Sequence, residues 1–224
     1  MQKIKTLHHV RAGLVCIAAA AMLASQAVLS QTFGESILTK HNALRSLHQN
    51  TPVLILDASL SARAQAWAEH LLAIDKLQHS NRDQRSGDGE NLYVTSQSNR
   101  TYSQAEQDWI KQHYPNMEIP KSFNAADLPG SAVLAWYQEE QDYHYQTGES
   151  TNGQTIGHFT QVVWQSSTKL GCGTAHKTQD DMVKAYVVCQ YSPAGNIRGQ
   201  YTTNVMPRKP GAVTPTLTEL NAHP

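Results

Sequence analysis

Four short segments carry a histidine or a glutamate in otherwise packed stretches, most of them near glycine or an aromatic residue: Leu77-Gln78-His79, Gly89-Glu90-Asn91, Trp136-Tyr137-Gln138-Glu139 and Gly157-His158-Phe159. A neutral imidazole suits a borderline metal such as Zn²⁺, and a carboxylate next to it can fix the ring tautomer or act as an acid or base. Spacing alone does not join these groups. Two histidines and two acids spread between residues 79 and 158 make a site only where a fold closes them together. The chain has no His-Glu-x-x-His, no Gly-x-Ser-x-Gly, no phosphate loop, no Gly-x-Gly-x-x-Gly and no Cys-x-x-Cys, which weakens hydrolase, nucleotide and redox readings together.

The surrounding chain has the profile of a globular domain. It has 224 residues, 40% of them hydrophobic and 16% charged, and the 13 glycines and 9 prolines exclude collagen-like or low-complexity classes. Eighteen basic residues balance 18 acidic ones with no long run of one sign, so no broad field for nucleic acid exists. Residues 1–27 are set apart: Lys3, Lys5 and Arg11 precede an apolar run over 12–24 and a small-x-small step at Ser25-Gln26-Ala27. That pattern predicts a signal peptide removed near Val28, too short to span a bilayer, with an uncleaved anchor as the alternative. The expected location is therefore secreted or extracellular, or periplasmic in a bacterium, with no stable membrane insertion after removal.

Cleavage leaves two cysteines, Cys172 and Cys189, in a compartment where disulfides persist. Two β-patterned runs flank Thr178-Gln179-Asp180-Asp181, and a hairpin centred on that turn sets Cys172 opposite Cys189, within bonding reach. Two buried thiols are the alternative.

Elsewhere the periodicity predicts helices over 33–49, from the Asp57 cap through Leu71, and over 131–143. Strands are expected at 159–164, 169–176 and 185–191, the first placing Gln161 on Phe159's face and Trp164 in the core on the other. Residues 77–93 read as turn-rich, 145–155 as a loop, and 94–130 as a partly helical insertion. Helices followed by strands at hairpin spacing argue for an α+β fold.

Gly157-His158-Phe159-Thr160-Gln161-Val162-Val163-Trp164 resembles the first signature of the CAP superfamily (SCP/TAPS), which comprises cysteine-rich secretory proteins, venom antigens and group one pathogenesis-related proteins. The second signature is matched by Tyr186-Val187-Val188-Cys189-Gln190-Tyr191-Ser192-Pro193-Ala194-Gly195-Asn196-Ile197. His41-Asn42-x-x-Arg45, residues 60–68, Gly89-Glu90-Asn91-Leu92 and Asn204-Val205-x-Pro207 extend the likeness over about 36–207, and the insertion near 96–130 departs from it. The resemblance implies a three-layer α-β-α sandwich with a central antiparallel sheet over 28–206, and the proline-punctuated, patternless residues 207–224 read as a flexible tail.

It also implies a cleft in which two histidines and two acids meet, carried over as His79, Glu90, Glu139 and His158, with Glu140 as the substitute for Glu139. The histidines would hold Zn²⁺ or another divalent metal weakly, with the acids orienting them from behind. The alternative is a hydrogen-bonded network that only ties the cleft walls together. Lipid or sterol carriage, attributed to several members, points to Tyr143 and Tyr145 and to the insertion's Trp109, Ile110, Tyr114, Met117 and Ile119, unless these aromatics simply close a core. Binding of a lipid, a sterol or a protein partner, by a monomer or weak dimer, is favoured over catalysis. A hydrolase using a metal-bound water, with Glu90 or Glu139 as its catalytic group, is the alternative. His41, Asn42 and Arg45 are read as structural, Gly157 and Gly195 as turn formers, and Asn99-Arg100-Thr101 as a glycosylation sequon if the source modifies exported proteins.

Overall fold

The structure is a computed structural model that describes residues 31–222, so the signal-peptide reading lies outside the described residues. Helix α1 (Phe33–Arg45) begins at a capping box in which Thr32 accepts from the Glu35 amide and Glu35 accepts from that of Thr32. It ends earlier than expected because residues 47–49 turn to meet the C-terminal segment: the Gln49 amide donates to Pro207 and the Lys209 amide to Leu47. The short strand β1 (Ile55–Leu56) leads into α2 (Ala58–Ile74), whose cap is Asp57 as read and whose Leu60, Ala64, Ala68 and Leu71 are buried.

Strand β2 (Gly89–Ser98) occupies residues read as turn and insertion. The insertion then supplies α3 (Gln104–His113) and a 3-10 turn at Ala125–Asp127. The helix expected at 131–143 is α4 (Leu128–Tyr137), continued by a 3-10 turn at Gln138–Asp142. A small hairpin, β3 (Tyr143–His144) with β4 (Glu149–Ser150), precedes α5 (Gly157–Val162). Strands β5 (Lys169–Gln179) and β6 (Met182–Ser192) form a long hairpin, and α6 (Tyr201–Asn204) and α7 (Leu217–Ala222) follow.

The main sheet runs β1-β5-β6-β2, antiparallel except for the two-residue parallel pairing of β1 with β5. Its register sets Cys172 against Cys189, which are joined by a disulfide with S–S 2.04 Å, as the hairpin argument required. Glycines decide how closely α2 lies on β5. A Cβ at Gly171 would sit 2.1 Å from the Ser61 amide, and one at Gly173 would sit 2.3 Å from the Gln65 Cα. Ala64, Ala68 and Leu71 of that helix pack with Leu92, Tyr186 and Val188 of the sheet. On the opposite face Leu170, Val187 and Tyr191 join Ile37, Leu44, Val133, Trp136, Phe159 and Val162 in the larger core. Helix, sheet and helix thus make the three layers.

Three expectations are corrected. Residues 159–164 form no strand: Gly157–Val162 is helical, and Phe159 through Trp164 are all buried, so the two-sided alternation assigned to Gln161 and Trp164 does not exist, although Trp164 is core. The segment read as a flexible tail is tied down over its described part, because α7 buries Leu220 completely against the helical layer. Tyr143, a candidate ligand contact, is 5% exposed within the larger core, where Tyr145 and Phe159 pack on its ring.

Candidate functional site

The first His–Glu pair forms where β2 begins. Glu90 is the second residue of the strand, and its side chain is 1% exposed. It accepts from His79 Nδ1 at 2.8 Å, from the Ser80 amide at 2.9 Å, from the Ser80 hydroxyl at 2.6 Å and from Gln190 Nε2 at 3.3 Å. Burial alone would push this carboxyl up, but the bonds from His79, Ser80 and Gln190 together outweigh it and hold Glu90 below the ordinary carboxylate range. A carboxylate only accepts, so the His79 Nδ1 carries a proton; in the neutral ring Nε2 then keeps its lone pair.

The second pair repeats this chemistry from different elements. Glu139 lies in the 3-10 turn after α4, and one of its oxygens takes the His158 Nδ1 at 2.6 Å. The other accepts the backbone amides of His158 at 2.9 Å and Phe159 at 3.2 Å. Glu139, and not Glu140, is therefore the acid of this pair. Trp136, one turn earlier on α4, stacks on the His158 ring with centroids 6.4 Å apart. The imidazole is again anchored at Nδ1, with its side chain 29% exposed and that of His79 54% exposed.

Helix α5, which carries His158, is clamped from three sides. Arg45, fully buried, donates to the carbonyls of Val162 at 2.8 Å, Trp164 at 2.9 Å and Ser167 at 3.1 Å. Asn196 donates to the Gly157 carbonyl at 2.8 Å, and Gly195 gives its amide to Gln161 at 2.8 Å. Gly195 is thus needed for close approach to the Gln161 side chain and not for a turn. The two pairs are linked through β2: Asn91 donates to the His158 carbonyl at 3.0 Å, while its neighbour Glu90 holds His79. Strand alternation sends Glu90 and Asn91 to opposite faces, so the pairs straddle the start of this edge strand.

His41 and Asn42 are structural, as read. His41 bonds the Ile37 carbonyl and the Tyr191 hydroxyl, and burial lowers its imidazole to about 4. Asn42 exchanges two bonds with the backbone of Leu54. Glu140 instead accepts from Tyr145 at 2.6 Å and from Arg208 Nε at 2.6 Å, on the wall of a cavity of about 680 Å³ that also takes in Tyr137, Pro215 and Leu217. Tyr145 thus faces a recess, unlike Tyr143. Trp109 and Ile110 line a second cavity, of about 450 Å³, at the insertion. Sequence reading missed His48, buried against Tyr137 at 2.7 Å, and Arg208: the periodicity over 33–49 marks apolar positions only, and Arg208 lies in a stretch without a period. Among the described residues no cluster of three or more His, Cys, Asp or Glu side chains that could hold a metal ion occurs.

The family model described as cysteine-rich secretory protein family, CAP, matches residues 38–191. Cysteine-rich secretory protein 3 of Equus caballus is 34% identical over 188 residues, covering 79% of this chain and 64% of that protein. Cysteine-rich secretory protein 2 of Cavia porcellus is 34% identical over 184 residues, covering 78% and 60%. The chain therefore spans less than two thirds of these relatives' length. The solved structure titled "Crystal structure of NaASP2 with Zn2+" superposes with a TM-score of 0.52 at 23% identity, covering 80% of this chain and 87% of that one. "Structure of BmVAL-1" gives 0.50 at 24% identity, covering 77% and 82%.

Proposed function

Because this chain belongs to the cysteine-rich secretory protein (CAP) family, we propose that it is an exported binding protein whose His79 and His158 take up a divalent metal such as Zn²⁺. One observation carries the reading: each imidazole gives its Nδ1 proton to a carboxylate, which presets Nε2 as a ligand atom on both rings. The donor chemistry fits a borderline divalent ion held weakly by two nitrogens, with the remaining positions left to water or to a partner's groups. When bound, the ion supplies a Lewis-acidic point of attachment for an oxygen or nitrogen of the partner. Glu90 and Glu139 hold the ring tautomers, and Trp136 limits rotation of His158. Residues 31–222 contain no helix long and apolar enough to cross a membrane, and secretion is inferred from the residue 1–27 pattern.

For the partner itself, the cavity sets Leu134, Tyr145, Pro215 and Leu217 beside Glu140, Arg208 and Thr214, a mixed lining that suits a ligand with an apolar portion and a polar group, such as a lipid or sterol. The test is to compare zinc binding by the chain from residue 28, as wild type and as His79→Ala, His158→Ala and the double variant. Each single change is expected to weaken binding at least tenfold and the double change to abolish it, with the fold intact by circular dichroism. Stoichiometric zinc retained by the double variant would overturn the assignment.

A further inference from the structure

The C-terminal segment reaches the candidate site through one residue. Arg208 is held in place by the pairing of residues 47–49 with 207–209, and it forms an isolated bridge with His48. From there its guanidinium lies over the Tyr137 ring at 5.5 Å and grips Glu140 with both Nε and a terminal nitrogen, while Thr214 accepts from the same nitrogen. Glu140 is also fixed by the Tyr145 hydroxyl. Its neighbour Glu139, in the same single 3-10 turn, is the carboxylate that orients His158. The turn continues α4 in the 3-10 form, whose hydrogen-bond geometry is poorer than that of an α-helix, so side-chain anchors contribute to its position. Its two glutamates are held by different partners, Glu139 by the His158 end of α5 and Glu140 by Arg208, while Asp142 at its end is bonded by Thr151 and Asn152.

We propose that Arg208 is a positioning residue for His158, acting through Glu140 and the Gln138–Asp142 turn on the Glu139 carboxylate; as a statement about metal binding this rests on the reading of His158 as a ligand. A planar, bidentate cation fixes both the location and the rotation of Glu140, which a lone ammonium does not. Loss of Arg208 frees the turn, Glu139 moves relative to the three donors it accepts, and His158 loses its single tautomer. His79 is anchored by Glu90 on β2, whose carboxylate Ser80 holds in turn, and neither residue belongs to this turn, so His79 serves as an internal control.

The experiment follows the ring nitrogens of both histidines by heteronuclear NMR in metal-free protein at about pH 7.5, in wild type, Arg208→Gln and Arg208→Lys, and then measures zinc affinity. The expected result is a shift of the His158 signals toward a tautomer mixture in Arg208→Gln, with His79 unchanged, partial recovery in Arg208→Lys, and zinc affinity down roughly tenfold. Unchanged His158 signals, or equal changes at both histidines, would overturn the inference, the latter by showing general loosening. If Arg208→Gln does not fold, Glu140→Gln makes the same comparison while keeping an acceptor for Tyr145. Should the wild type bind no zinc, the metal reading fails, whereas the ring signals still decide the role of Arg208.

Discussion

Glu90 gathers its donors onto two oxygens inside the protein, which makes it the most demanding side chain of the site. Glu90→Gln keeps the shape but turns one acceptor into a donor facing the Ser80 and His79 protons. The expected cost is about 1–3 kcal/mol of unfolding free energy, measured by urea titration; a loss under about 0.5 kcal/mol would show that the carboxylate is not buried as described. His41 makes a second residue-scale prediction. Its folded value near 4 lies below the ordinary 6.5, so as pH falls the unfolded chain takes the proton first. Its contribution is complete above about pH 6.5 and is lost as pH falls toward 4, by roughly 3 kcal/mol. The slope of stability against pH in that window should flatten in His41→Gln; an unchanged slope would assign the acid sensitivity to other groups. His158 and Glu90 were readable because each sits inside a run that resembles the family, whereas His79 and Glu139 were carried over from shorter cues. The sequence preferred Glu139 over Glu140 by its place three residues after Trp136, and the structure pairs Glu139 with His158.

The elements show where pattern reading ends. Helices α1 and α2 announce themselves by a one-sided apolar stripe, α2 also by its Asp57 cap, and the β5–β6 hairpin by its turn and its paired cysteines. Helix α5 does not, because Phe159, Val162, Val163 and Trp164 are β-favouring residues in a segment buried on every side, so neither period is visible and tertiary packing decides. Strand β2 opens in glycine and polar residues because its first positions are reserved for the site, which hides the strand. The close approach of α2 to β5 yields an element-scale test. Gly173→Ala places a methyl group against the α2 backbone, and should destabilise the domain by about 1–3 kcal/mol in thermal or urea unfolding. A neutral effect would mean that the helix rests farther from the sheet than the structure has it.

At the scale of the whole molecule, the sandwich builds two His–Glu pairs from parts distant in sequence: a loop and an edge strand supply His79 and Glu90, and a helix end and a short helix supply Glu139 and His158. The sequence conveyed this layered α+β architecture through its two signature runs, and the disulfide through the hairpin. It did not convey the docking of the C-terminal segment, whose proline- and glycine-punctuated chain carries no period even though Leu220 is fully buried. The central claim is that both carboxylate-anchored imidazoles act as ligands while neutral, and it is met most directly by calorimetric titration of metal-stripped protein with Zn²⁺ at about pH 7.5 and again at about pH 5.5. The account predicts one saturable site at the higher pH, weakened severely at the lower as protons compete for Nε2. Absence of binding at both, or binding equally tight at both, would contradict it and leave the His–Glu pairs as architecture.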